Sequence, residues 1–214
     1  MAVPLLIGLG LVATILLLRA ERAGNQGWIG VWKMAAATGY VALAWSQGAG
    51  TSEFGRWMLA AFLCSWAGDA ALLRDRRPTL FFAGLGAFLA AHLAFFVAFL
   101  FLRPDPVAIA GCGVVVAASF VPVVRWLWPH LPPPMKTPVM FYLVAIGGMV
   151  SAALAVALAD RHFLFALAAL AFAASDVAVA RHQFVAPGFS NKQWGLPLYF
   201  GAQYLFAYAA GWGG

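Results

Sequence analysis

The chain has 214 residues, 64% of them apolar and only 9% charged, with a mean hydropathy of +0.88, the composition of a polytopic membrane protein and not of a soluble domain. Its net charge of +6 does not point to nucleic acid, because most basic residues fall in short connections between apolar runs, where they report topology and touch lipid headgroups. Cys64 and Cys112 each sit inside an apolar run of a different predicted helix, so neither a disulfide framework nor a paired-cysteine zinc site is supported.

The first apolar run, 2–18, is followed by Arg19, Glu21 and Arg22. Positive charge comes after it instead of before it, so it reads as a transmembrane helix and not as a signal peptide. A second helix is expected over 28–45, with Lys33 in its first turns, and 48–52 breaks it. The third, 54–73, holds Asp69 and is closed by the basic turn Arg74-Asp75-Arg76-Arg77-Pro78. The fourth, 79–102, carries His92, and Arg103-Pro104-Asp105-Pro106 ends it, because proline lacks a backbone donor and restricts the residue before it.

The fifth helix is expected over 107–126. Four prolines between Pro129 and Pro134 mark the midpoint. The sixth helix, 135–158, contains Lys136, Pro138 and Tyr142; the seventh, 162–181, contains Asp176. A polar loop is expected over 183–193, then an eighth helix over 194–212 with Tyr199, Gln203 and Tyr204. Spans of about 18 to 24 residues suit a hydrocarbon core of roughly 30 Å. The expectation is one all-α transmembrane domain over residues 1–214.

Odd-numbered connections hold nine Lys and Arg residues and even-numbered ones three, which places the odd connections in the cytoplasm and both termini outside. Asp69 and Asp176 each precede an arginine by five positions, about 7 Å of helix rise, so both belong at one depth near the cytoplasmic face. They lie half the chain length apart, and Ala91-His92-Leu93-Ala94-Phe95 on helix four echoes Ala202-Gln203-Tyr204-Leu205-Phe206 on helix eight. Two four-helix halves of equal orientation, a parallel 4+4 repeat, would gather their polar residues around a central axis.

Ionisable groups inside a bilayer are costly and count as functional candidates. The residues here able to ionise or to donate strongly are Lys33, Asp69, His92, Tyr142, Asp176, Tyr199, Gln203 and Tyr204, with Ser65 and Ser175 beside the aspartates. Lys33, Asp69, Tyr142, Asp176 and Tyr199 are expected in one layer, with His92 and Gln203 deeper. Lys33 either snorkels to the headgroups or serves as an aspartate's counter-ion or a phosphate contact. His92 and the tyrosines also suit packing roles. Two carboxyls meeting in a dry site cannot both ionise easily, so one keeps its proton and can act as an acid.

The ordered set Lys33, Ser65-Trp66-Ala67-Gly68-Asp69, Ala83-Gly84-Leu85-Gly86-Ala87-Phe88 with Ala91-His92-Leu93, Pro138-Val139-Met140-Phe141-Tyr142, Ala174-Ser175-Asp176 and Ala202-Gln203-Tyr204 resembles the YhhN-like lysoplasmalogenase family from Lys33 to Tyr208. The resemblance implies a hydrolase of the bacterial inner membrane. It would cleave the vinyl-ether bond of a lysoplasmalogen to a fatty aldehyde and glycerophosphocholine or glycerophosphoethanolamine. Asp69 and Asp176 would be catalytic; Lys33, His92, Tyr142, Tyr199, Gln203, Ser65 and Ser175 would bind substrate or support them. The implied partners are the lysophospholipid and membrane lipids, and neither metal nor organic cofactor is required. The competing reading is a small-molecule or ion-coupled transporter, since buried acids also form proton relays.

Overall fold

The computed structural model describes residues 2–74, 78–160 and 162–212. The centre of the basic turn expected at Arg74–Pro78, residues 75–77, lies outside them, as does Arg161. Eight α-helices follow in chain order: α1 (Ala2–Ala23), α2 (Gln26–Ser46), α3 (Glu53–Ala71), α4 (Pro78–Phe101), α5 (Pro106–Leu127), α6 (Pro133–Asp160), α7 (Phe163–Ala180) and α8 (Phe189–Ala209). No strand occurs among the described residues. Starts are set by side-chain caps, Asn25 accepting from the Trp28 N–H, Ser52 from Gly55 and Asp105 from Val107, which satisfy donors that a helix leaves open.

Five helices, α1, α4, α5, α6 and α7, are long and apolar enough to cross a membrane. In α2, α3 and α8 the polar residues Lys33, Glu53, Arg56, Asp69, Asn191, Lys192 and Gln203 dilute the hydropathy. The outside of the bundle is apolar, with Leu5, Leu9, Leu11, Val12 and Ile15 of α1 and Val107, Val114, Val115 and Val121 of α5 exposed. Apolar side chains on so much of the surface need lipid for a solvent. This is a membrane protein.

Two boundaries differ from the sequence reading. Helix α1 continues through Arg19, Glu21 and Arg22, all acceptable helix residues, until Gly24 turns the chain at φ +66°, where glycine carries no Cβ penalty. Helix α8 begins at Phe189, inside the expected polar loop. Residues Arg181–Val185 wind one π turn onto α7, and Asn191 takes up the polar groups of the break, donating to the Ala186 carbonyl and accepting from Arg181. Tyr199 therefore sits almost three turns into its helix instead of in the first two.

The closest helix pairs are α3 with α4, α7 with α8 and α1 with α2; α6 packs on α4, α5 and α7, and α8 on α1 and α2. Helix α5 is peripheral. It meets α6 and the π turn and hardly touches α4 among the described residues, burying only Val116 and Leu127. Aromatic rings fill the centre: Phe95 stacks on Phe206 at 4.7 Å, Phe62 meets Phe95 edge-on at 5.3 Å, and Phe88 meets Tyr199 edge-on at 5.7 Å.

Small residues let helices approach where lipid removes the hydrophobic drive to associate. Tyr204 of α8 enters a slot between Gly10 of α1 and Gly39 of α2, and its hydroxyl donates to the Ala36 carbonyl at 3.1 Å. A methyl on Gly39 would stand 2.0 Å from that hydroxyl oxygen. Gly39→Ala is expected to cost about 1–3 kcal/mol, read as a lower melting temperature in detergent. Adding Tyr204→Phe, which leaves the ring carbon 3.2 Å from the new methyl, is expected to recover part of that loss; a single variant as stable as the wild type would contradict this packing.

Candidate active site

The polar residues form two groups, one around each aspartate. Asp69, near the end of α3, is buried to 1% exposure and takes three donors: Lys33 Nζ at 3.3 Å from Oδ1, and the hydroxyls of Tyr199 at 2.6 Å and Tyr40 at 3.3 Å from Oδ2. The two tyrosine oxygens are themselves 3.4 Å apart. Helices α2, α3 and α8 thus each supply part of one cluster. Of the possibilities for Lys33, the structure takes the pairing with an aspartate.

Tyr40 was not singled out from the sequence. It is fully buried and stands seven residues after Lys33, two helical turns along the same face. That spacing was the available signal. It was hidden because a lone tyrosine in an apolar helix reads first as packing.

Asp176, near the end of α7, has a different set. His92 Nε2 lies 3.3 Å from its Oδ2, the Tyr142 hydroxyl faces it, and the His92 and Tyr142 rings meet edge-on at 5.2 Å. His92 Nδ1 is 2.7 Å from the Phe88 carbonyl oxygen. A carbonyl can only accept, so Nδ1 carries a proton, and Nε2 of the neutral ring is then a lone pair. Neither Nε2 nor Oδ2 has a hydrogen-bond partner among the described residues. A proton on either group would let the two atoms pair.

The two carboxylates have separate polar partners. Phe172 packs on the His92 ring at 4.5 Å and on the Tyr199 ring at 5.4 Å, so an aromatic side chain lies between the partner sets. Yet both acids line one cavity of about 240 Å³. Its polar end carries Lys33, Asp69, Tyr199, Glu21, Asn191 and Lys192. Its other end runs between α4, α5 and α6 over Phe81, Leu85, Phe120, Leu127, Val139 and Ile146. The five residues expected in one layer, Lys33, Asp69, Tyr142, Asp176 and Tyr199, all line this cavity.

The remaining candidates are placed differently. Ser175 lines the cavity, but its hydroxyl donates to the Phe172 carbonyl at 2.7 Å. Ser65 and Gln203 are buried one turn from Asp69 and Tyr199, off the cavity wall, and their polar side-chain atoms have no partner among the described residues. Tyr204 belongs to the α1–α2 slot. Among the described residues no cluster of His, Cys, Asp and Glu could hold a metal ion.

The model of the YhhN family matches residues 28–210. The chain is 35% identical over 149 residues to a protein named lysoplasmalogenase from Mycobacterium bovis and, equally, to one of that name from Mycobacterium tuberculosis. Each alignment takes in 68% of this chain and 55% of the relative, so the chain spans about half the length of the curated relatives it matches. No solved structure matches.

A buried carboxylate deprived of its cation is strongly destabilising, while removing both charges together is far less so. Lys33→Met is expected to lower stability by about 3–5 kcal/mol, measured by thermal unfolding in micelles. The double variant Lys33→Met/Asp69→Asn should regain most of that. If Lys33→Met unfolds at the wild-type temperature, Asp69 does not depend on the lysine.

Proposed function

The chain belongs to the YhhN family, and we propose that it is a membrane-embedded hydrolase of lysoplasmalogen. It adds water across the vinyl ether to release a fatty aldehyde and glycerophosphoethanolamine or glycerophosphocholine. The observation that carries this reading is the shared cavity: two carboxyl groups between a charged end and an apolar branch, as a single-chain phospholipid requires. The names of the curated relatives favour it over the transporter alternative.

The two aspartates take different parts because their partners differ. Asp176 is the acid. The proton that it shares with His92 goes to the vinyl carbon distal to the ether oxygen, leaving an oxocarbenium ion at the adjacent carbon. Asp69, faced by an ammonium and two hydroxyls, works as the anion. It stabilises the cation and takes a proton from the attacking water, following two-carboxylate glycosidase logic. The hemiacetal then collapses as its hydroxyl returns a proton to the Asp176–His92 pair and Asp69 passes the proton taken from water to the departing glycerol oxygen. One water is consumed, and the Asp176–His92 pair ends with its proton restored.

The chain crosses the membrane eight times as a parallel 4+4 repeat in the bacterial inner membrane, with odd connections in the cytoplasm and both termini outside. Support comes from the centre of the bundle. Phe88 faces Tyr199 and Phe95 stacks on Phe206, pairs at one constant offset, so equivalent residues of α4 and α8 meet across an axis. The contact of α2 with α8 has its counterpart in that of α6 with α4. The contact of α1 with α8 has none, since α5 stands off α4, and there the cavity sends its apolar branch. That departure from symmetry supplies the acyl groove, open to lipid beside α5.

Purified protein is expected to release aldehyde from lysoplasmalogen, and in heavy water each aldehyde should carry one deuterium on the carbon next to the carbonyl. Asp69→Asn and Asp176→Asn should each lower the rate by about 10²–10⁴-fold. No aldehyde from the wild type ends the proposal; full activity in either variant ends that residue's role. Independently, a cysteine placed at position 76 should react with a membrane-impermeant reagent only after cells are opened, and labelling in intact cells would reverse the topology.

A further inference from the structure

The polar end of the cavity holds a charge pair that the hydrolysis does not use. Glu21, in the last turns of α1, and Lys192, in the first turn of α8, both line the cavity and meet at 2.7 Å. The carboxylate is the enclosed member, 10% exposed, and the ammonium reaches outward at 34%. We propose that Glu21 and Lys192 form a headgroup subsite that selects phosphoethanolamine over phosphocholine and over headgroups without an ammonium. This rests on the lysoplasmalogen reading above.

A phosphoethanolamine group is a dipole, one phosphodiester charge followed by a primary ammonium that donates three hydrogen bonds. Lys192 and Lys33, which both line the cavity, supply cations for the phosphate, although Lys33 is already shared with Asp69. Glu21 supplies the acceptor. Its Oε2 takes the Lys192 bond, and Oε1 has no partner among the described residues, so a second ammonium can bind without breaking the first pair.

Trimethylammonium donates nothing, and proteins that hold it use aromatic faces. At this end of the cavity the one aromatic ring is that of Tyr199, whose hydroxyl already donates to Asp69. Phe184 packs instead against the apolar cluster of Leu127 and Met135, and the Phe88 and Tyr199 rings face one another. A phosphoglycerol headgroup would leave Glu21 facing an uncompensated anion, which disfavours it by like-charge repulsion.

The plainer role for this pair is a clamp between α1 and α8, and binding experiments separate the two. The probes are saturated 1-alkyl lysophospholipids with ethanolamine, choline or glycerol headgroups, which lack the vinyl ether and cannot be turned over; Kd is measured in micelles. A charge-assisted hydrogen bond made by one headgroup and not another gives an expected preference for ethanolamine over choline of roughly tenfold, with phosphoglycerol weakest. Glu21→Gln should erase the ethanolamine advantage. The swap Glu21→Lys/Lys192→Glu keeps an ion pair between the same helices and should erase it too.

Equal affinities in the wild type, or an ethanolamine preference that survives the swap, would overturn the subsite. Aldehyde assays on the alkenyl counterparts run alongside. Headgroup-selective binding without aldehyde sinks the hydrolase reading and leaves the subsite; aldehyde release with no selectivity in binding does the reverse.

Discussion

A carboxylate buried in a lipid-immersed bundle is stable only if cations and donors converge on it, and Asp69 has Lys33, Tyr199 and Tyr40 within 3.3 Å. Those groups come from α2 and α8 while the acid comes from α3, so the cluster fixes three helices against one another. The cost of an isolated charge in low dielectric is several kcal/mol. The same requirement accounts for Lys33 of α2 and Asp69 of α3, two of the polar residues that make these helices less apolar.

Asp176 meets the requirement in another way. Its partner is an imidazole whose far nitrogen is tied to the Phe88 carbonyl, which sets the tautomer and leaves the near nitrogen facing the acid. Two carboxyl groups of one sequence type are thereby given unlike chemistry by their neighbours, one surrounded by donors and one coupled to a base. Phe172, between the partner sets, keeps those environments distinct, while both acids line one cavity.

Much of this was legible in the sequence, for a physical reason. Each membrane helix satisfies its own backbone, so its length and its polar exceptions stand out residue by residue. Lys33, Asp69, Tyr142, Asp176 and Tyr199 were recognisable because charge and hydroxyl are rare in such runs. Tyr40 was not, since nothing local separates a packing tyrosine from one that bonds a carboxylate. The start of α8 was also misplaced, because Asn191 and Lys192 read as loop until Arg181, Ala186 and Glu21 are seen to satisfy them.

From sequence alone came the all-helical membrane class, the two acids placed at the same distance from an arginine, and the set of polar residues that had to find partners. Which partner each acid took was decided only in three dimensions. Helices in lipid have no hydrophobic force to order them, so their arrangement depends on close contacts such as Tyr204 in the slot between Gly10 and Gly39 and on aromatic rings meeting across the centre. Those contacts join residues remote in the chain, and the departure of α5 from α4, beside the apolar part of the cavity, has no signature in any one helix.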